Sequence, residues 1–289
     1  MNANTITNLV VGTGDYIYDI VRPWGTLPKG LAFGAVSHVA VDSKDRVYFY
    51  QRGTPPMLVF DSEGNFLTGW GDGRFLDAHG IFVGPDDHIY ICNRDEHEVL
   101  KLRPDGTIVL TLGQRGKPAL QAPFNHPADV AVAPNGDIYV ADGYGNSAVH
   151  RFSAEGKHLQ SWGTPGGGRG QFTTPHGIWV DRREQVFVAD RENNRVQIFS
   201  PEGDLYGEWG DVYHPMDIYM DSMGTVYVTD QIPRITMFSP DGQMLARGRG
   251  ATIGAHGVWG DSKGNLYLAE VTDKRVSKLV RRPVAAASH

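Results

Sequence analysis

Three histidines recur in one local setting: His79 in AHGIFV, His176 in PHGIWV and His256 in AHGVWG. Imidazole is a common zinc ligand, and a site with three protein ligands keeps a fourth coordination position open, the catalytic pattern rather than the structural one. Taken singly, each histidine is better explained as a side chain that hydrogen-bonds a neighbouring backbone carbonyl. Taken together at equivalent positions, they point to zinc or another divalent metal. Fifteen residues past His79 and His176 stand Arg94 and Arg191, and Arg52 holds the same place relative to Ser37. An arginine aimed into a channel must find an anion. Asp190 and Asp95 are internal candidates, and for Arg94 such pairing explains the residue at least as well as a function does. For Arg52 and Arg191 the alternative is bidentate capture of a substrate carboxylate, which favours Arg over Lys. Tyr144 lies in DGYGNS between Gly143 and Gly145. The glycines let the backbone turn and push the phenol out of the strand, either for chemistry or as loop packing. The other histidines considered carry no such signal: His126 and His214 precede prolines, and His88, His97, His150 and His158 are expected in turns or outer strands.

The elements that place these residues form a repeat. AVSHVAVDSKDRVYFYQR, DAHGIFVGPDDHIYICNR, HPADVAVAPNGDIYVADG, TPHGIWVDRREQVFVADR, HPMDIYMDSMGTVYVTDQ and GAHGVWGDSKGNLYLAEV align without a gap. Their equivalent anchors are Ser37, His79, Ala128, His176, Met216 and His256. Each unit reads as an alternating strand, a tight turn and a second strand; a third strand follows, then a fourth ending in Trp-Gly or a relative. Four strands in six units predict an all-β, six-bladed propeller. The last unit lacks its fourth strand, and YIYDIVRPWG, residues 16 to 25, supplies it from the N-terminal side, closing the ring and removing open edges. Alternate blades of such a ring stand about 120° apart, so the three histidines converge on its axis. Anchor spacings of 42, 49, 48, 40 and 40 residues put extra length around QRGKPALQAPFN and TPGGGRGQFTTP. The expected organisation is one domain over residues 1–280 with a frayed tail at 281–289.

Composition bounds the function. The chain has 289 residues, 40% of them hydrophobic, and a formal net charge of −6, which argues against nucleic-acid binding through diffuse positive charge. The single cysteine, Cys92, excludes an internal disulfide. Neither a secretory signal pattern nor a stretch of roughly 20 apolar residues is present. The expectation is a soluble, cytoplasmic protein with no membrane or nucleic-acid partner.

The runs FNHPADVAVAPNGDIYVADGYGNS, GQFTTPHGIWVD and VADRENNRVQIF resemble peptidyl-α-hydroxyglycine α-amidating lyase, the propeller half of the enzyme that amidates peptide hormones, and the units look like NHL repeats. Similarity is densest from Phe124 to Phe199. The resemblance implies zinc ligation by His79, His176 and His256, a catalytic tyrosine at Tyr144, and active-site arginines at Arg52 and Arg191. It also marks three departures. Gly145 stands where animal members carry a disulfide cysteine, Gly257 where an acidic ligand of structural calcium follows the third histidine, and Gly254 where a methionine precedes it. Calcium is therefore in doubt, and the pocket is expected to differ in shape.

The expected reaction is zinc-dependent cleavage of an N-substituted α-hydroxyglycine, or a related carbinolamide, into an amide and glyoxylate or another aldehyde. The substrate would be a small molecule or short peptide bearing a carboxylate. A divalent ion acidifies a hydroxyl that it binds. A phenol of ordinary pKa, about 10, needs a nearby cation to act as base at neutrality, and Arg52 or Arg191 would supply it while the other holds the carboxylate. Two alternatives stay open: a metal-dependent hydrolase or lactonase on a propeller, and a non-catalytic NHL-type binding module.

Overall fold

A computed structural model describes residues 9–249 and 254–283. Strand after strand pairs antiparallel with its sequence neighbour, giving five four-stranded sheets and one of five strands. The innermost strands touch their neighbours in an unbroken ring from blade one to blade six and back to blade one. This is the six-bladed propeller expected from the repeat. Sequence pattern follows position in the blade. The inner strand Ala78–Val83 is buried throughout, because it has neighbours on both faces, whereas the outermost Leu205–Trp209 alternates between half-buried and exposed residues.

The Trp-Gly repeats latch blade to blade. A Cβ on Gly106, Gly203 or Gly242 would strike, respectively, the ring of Trp70, Trp162 or Trp209 at 2.9 Å or less, and all three glycines have positive φ. Each tryptophan ends one blade's outer strand and covers a turn of the next blade that only glycine can form there. The sixth blade follows the same rule. Tyr16–Val21 pairs with the last strand, Arg275–Arg281, from Tyr18↔Arg281 to Val21↔Lys278, and Trp24 then lies over Gly64 of blade one. The N-terminal strand therefore closes the ring, although its ladder stops at Val21 rather than Gly25. A further strand, Val10–Thr13, forms a hairpin with it and adds a fifth strand that the repeat did not foretell. The last strand continues to Arg281, and residues 284–289 of the expected tail lie outside the described residues.

The anchors sit where the inner ladders are irregular. Register shifts fall at Val36/His38, Ala78/Ile81, Pro175/Ile178 and Pro215/Asp217. In blades three and six the inner strand starts immediately after the anchor, at Asp129 and Gly257. A bulge breaks the two-residue alternation of a strand and re-aims side chains, and bulges concentrate beside active sites. Three residues past the anchors, Phe82, Trp179, Tyr219 and Trp259 pack together across the axis, with ring centroids 5.0 Å apart for Trp179 and Trp259.

Candidate metal centre and active site

His79, His176 and His256 meet on the axis, their ring centroids 4.8–4.9 Å apart. Each comes from one blade and is oriented by the next. His79 Nδ1 lies 2.6 Å from the carbonyl of Ala128, His176 Nδ1 2.6 Å from that of Met216, and His256 Nδ1 2.7 Å from that of Ser37. The carbonyl acceptors are the anchors of blades three, five and one. Since a carbonyl only accepts, each Nδ1 carries the proton and each Nε2 keeps a lone pair. The carbonyl bond and metal ligation, rival explanations from the sequence, are thus compatible, because a bonded Nδ1–H is how ligating imidazoles are held.

Electrostatics agree with that tautomer. Burial first, then the neighbouring imidazole His256, drives His79 and His176 well below the ordinary histidine range, and burial lowers His256 to about 3. Three neutral, lone-pair-bearing nitrogens converge at neutral pH, the donor set that zinc or a similar divalent ion requires. Among the described residues this is one of two groups able to hold a metal.

Tyr144 stands over this centre. Its hydroxyl lies 3.0 Å from His79 Nε2, 3.0 Å from His176 Nε2 and 3.2 Å from Arg191 Nη1, which donates to it. The loop that carries it is fixed from below. Buried Asp142 accepts from the Asn125 backbone and from Asn146 Nδ2, and it lies 3.2 Å from His150 Nε2. The flanking glycines are needed for room and not for an unusual φ. A Cβ on Gly143 would stand 1.9 Å from the Pro175 carbonyl, and one on Gly145 2.4 Å from the Asn125 side chain. His150, expected in a turn or outer strand, lies in the third strand of blade three, fully buried. Its partner Asp142 makes it part of the tyrosine's support.

The arginines divide unexpectedly. Arg191 touches Tyr144 and pairs with Glu192 at 2.8 Å, while Asp190, its proposed internal partner, binds Arg195 at 2.8 Å instead. Arg94 does pair with Asp95, at 3.0 Å, yet its guanidinium also lies 4.8 Å above the Tyr144 ring, closer than that of Arg191 at 5.4 Å. Arg94 therefore belongs to the site despite its ion pair. Asp77 joins it to Arg52, holding Nε of Arg52 at 2.8 Å and Nε of Arg94 at 2.7 Å. Sequence reasoning missed Asp77, two residues before His79 and next to the register shift that begins at Ala78. The Nη atoms of Arg52 make no hydrogen bond among the described residues. Position 257 has no room for an acidic side chain, since a Cβ there would lie 2.9 Å from His38 Cα, and a Cβ at Gly254 would lie 2.2 Å from the Asp230 carbonyl.

The comparisons with known proteins agree with this architecture. The family model of the NHL repeat matches residues 124–152 and 172–199. The human NHL repeat-containing protein 3 is 32% identical over 250 residues, covering 81% of this chain and 67% of that protein. The peptidyl-alpha-hydroxyglycine alpha-amidating lyase 1 of Drosophila melanogaster is 28% identical, covering 98% of this chain and 63% of that enzyme. The chain spans only 21% of the mouse peptidyl-glycine alpha-amidating monooxygenase that it also matches. Among solved structures, a gluconolactonase from Xanthomonas campestris superposes with a TM-score of 0.72 at 15% identity over 92% of this chain and 90% of that one, a likeness of fold. No helix among the described residues is long and apolar enough to cross a membrane.

Proposed function

We infer the activity from a fixed premise: the chain belongs to the NHL-repeat β-propeller family that contains the peptidyl-α-hydroxyglycine α-amidating lyases. Relatives carrying the lyase name support a lyase reading. The specific proposal is cleavage of the C–N bond of an N-substituted α-hydroxyglycine to an amide and glyoxylate. The observation that carries it is Tyr144, whose hydroxyl reaches two of the three imidazole Nε2 atoms and a guanidinium at once.

His79, His176 and His256 would hold the divalent ion, zinc by the donor set, which supplies Lewis acidity toward the substrate hydroxyl. Tyr144 takes the hydroxyl proton. Arg191 at its oxygen, together with Arg94 over its ring, places positive charge where a phenol oxygen becomes negative. The O–H electrons form the aldehyde C=O, the C–N electrons pass to nitrogen, and nitrogen gains a proton to complete the amide. Arg52, anchored through Nε on Asp77 with its Nη atoms presented, holds the substrate carboxylate. Asp77 fixes Arg52 and Arg94 together, so one side chain holds both the carboxylate clamp and a cation over the base.

The experiment is turnover of α-hydroxyhippurate by zinc-loaded protein in ¹⁸O-water. Stoichiometric benzamide free of ¹⁸O, with glyoxylate, is expected. Benzoate containing solvent oxygen would make the protein a hydrolase, and metal-loaded protein without turnover of carbinolamides would leave the binding-module reading in place.

A further inference from the structure

The second group of metal-capable side chains lies one residue along the inner strands from the first. His38, Asp129 and Asp217 directly follow the anchors Ser37, Ala128 and Met216, so they come from blades one, three and five, the blades that give no histidine to the upper centre. All three are buried, with 4%, 4% and 2% exposure, and their ligand atoms lie within 4.8 Å of one another. His38 Nε2 is 3.1 Å from Asp217 Oδ2 and 3.7 Å from Asp129 Oδ1. Donor atoms 2.0–2.2 Å from one ion, at tetrahedral to trigonal angles, stand about 3.3–3.8 Å apart.

Hydrogen bonding leaves this cluster open. Three of the four carboxylate oxygens accept from backbone: Asp129 Oδ2 from Ile178 at 3.1 Å, Asp217 Oδ2, the oxygen that also faces His38, from Val258 at 2.7 Å, and Asp217 Oδ1 from Ile218 at 2.8 Å. His38 Nδ1 lies 3.0 Å from the Val39 N–H and 3.1 Å from the Val39 carbonyl; donation to the carbonyl leaves the Nε2 lone pair free. By contrast, Asp129 Oδ1 is buried without a hydrogen bond, and the buried His38 Nε2 meets Asp217 Oδ2 at 3.1 Å as an ion pair without hydrogen-bond geometry. A single proton on Nε2 serves only one acceptor, so it cannot satisfy both carboxylates. Two buried carboxylates share that one imidazole, and Asp129 Oδ1 is the oxygen left without a partner.

The glycine after each upper histidine makes room for this set. A Cβ on Gly80 would lie 2.4 Å from Asp129 Oδ1, one on Gly177 2.8 Å from Asp217 Cα, and one on Gly257 2.9 Å from His38 Cα. The His-Gly pairs are therefore half of a two-ring pattern: histidine in even blades at the anchor, ligand in odd blades one residue later.

We propose that His38, Asp129 and Asp217 form a second divalent-cation site, stacked on the channel axis beneath the three-histidine centre. One nitrogen and two carboxylate oxygens suit Zn²⁺ or Mn²⁺ better than an ion that prefers oxygen alone. The site is structural. Its ligands directly follow Ser37, Ala128 and Met216, whose carbonyls orient the three upper imidazoles, so an ion there clamps the backbone that aims the upper centre. Without an ion the cluster retains protons: burial lowers His38, but Asp217 and Asp129 outweigh it and hold it at about 9, and burial pushes Asp129 up to about 7.

The test is metal stoichiometry of the full chain, which is independent of the lyase reading. Metal-stripped protein is reconstituted with Zn²⁺ or Mn²⁺, freed of excess ion and analysed by mass spectrometry for metal per chain. Two ions per chain are expected for the wild type. Asp129→Asn, nearly isosteric and still able to accept from Ile178, should reduce this to one, and His176→Ala should leave at least the lower ion. One ion per wild-type chain with both metals overturns the proposal, and so does an Asp129→Asn protein that still holds two. If Asp129→Asn does not fold, His38→Gln replaces it with the same criterion, and the wild-type count alone remains decisive against the proposal.

Discussion

Tyr144→Phe removes one oxygen from the proposed reaction and little else. The ring would stay between the guanidiniums of Arg94 and Arg191, 4.8 and 5.4 Å from its centroid, and the Asp142 network beneath it would be untouched. The residue is 36% exposed, so the lost hydroxyl contacts with His79, His176 and Arg191 were partly shared with solvent. A typical hydrogen bond contributes about 0.5–1.5 kcal/mol net, and less at the surface, so Tm should fall by no more than about 2–4 °C. Metal content should be unchanged, because the three imidazoles are oriented by backbone carbonyls and not by Tyr144. Loss of a positioned base costs about 10²- to 10⁴-fold in kcat, equivalent to roughly 2.7–5.4 kcal/mol at 1.36 kcal/mol per decade. The catalytic effect therefore exceeds the stability effect, and the two are measured separately: amide formation by chromatography, stability by calorimetry, metal by elemental analysis. Wild-type kcat in a variant that keeps its metal would remove Tyr144 from the proton transfer and with it the assignment of Arg191 and Arg94.

Two further outcomes test the fold and the electrostatics. Deletion through Val21 removes both N-terminal strands from the sixth blade and uncovers surface packed by Tyr18, Ile20 and Val11; at about 1.5–3 kcal/mol for each large buried side chain, the loss is comparable to a domain's whole stability, so insolubility or a collapse in Tm is expected, and an unaltered melting curve would refute closure by this strand. For the metal-free protein, stability should peak near pH 6.5. His256, lowered to about 3, contributes stability present above its unfolded pKa of about 6.5 and lost as pH falls toward 3, whereas His38, raised to about 9, contributes stability present below 6.5 and lost as pH rises through 9. Denaturant titrations from pH 4 to 10 that showed no such maximum would contradict one or both assignments.

Most of the architecture was legible because a propeller writes its geometry into a repeat. Equivalent positions lie on a circle, so three histidines in alternate units could be placed on the axis before any strand was located, and the Trp-Gly endings, including Trp24-Gly25, identified the strand that closes the ring. The Val10–Thr13 strand was not legible because it belongs to no unit. For Arg94 the neighbouring Asp95 explains the residue at least as well as a function does, and the pair forms. Pairing and function are not exclusive, since a guanidinium anchored through Nε still presents its face to the Tyr144 ring.

His38, Asp129 and Asp217 show where reading by alternation fails. In a regular strand, residues i and i+1 point to opposite faces, so a search that places the anchor on the axis discards its successor. The ladders are irregular at the anchors, and this rule lapses where the chemistry is. The missed signal was nevertheless in the alignment. Read one column past the anchors, the six units give His38, Gly80, Asp129, Gly177, Asp217 and Gly257, with polar ligand types in odd units and glycine in even units. Glycine alternating with ionisable residues is what the lower ring needs, because its three side chains fill space that a Cβ on Gly80, Gly177 or Gly257 would otherwise occupy.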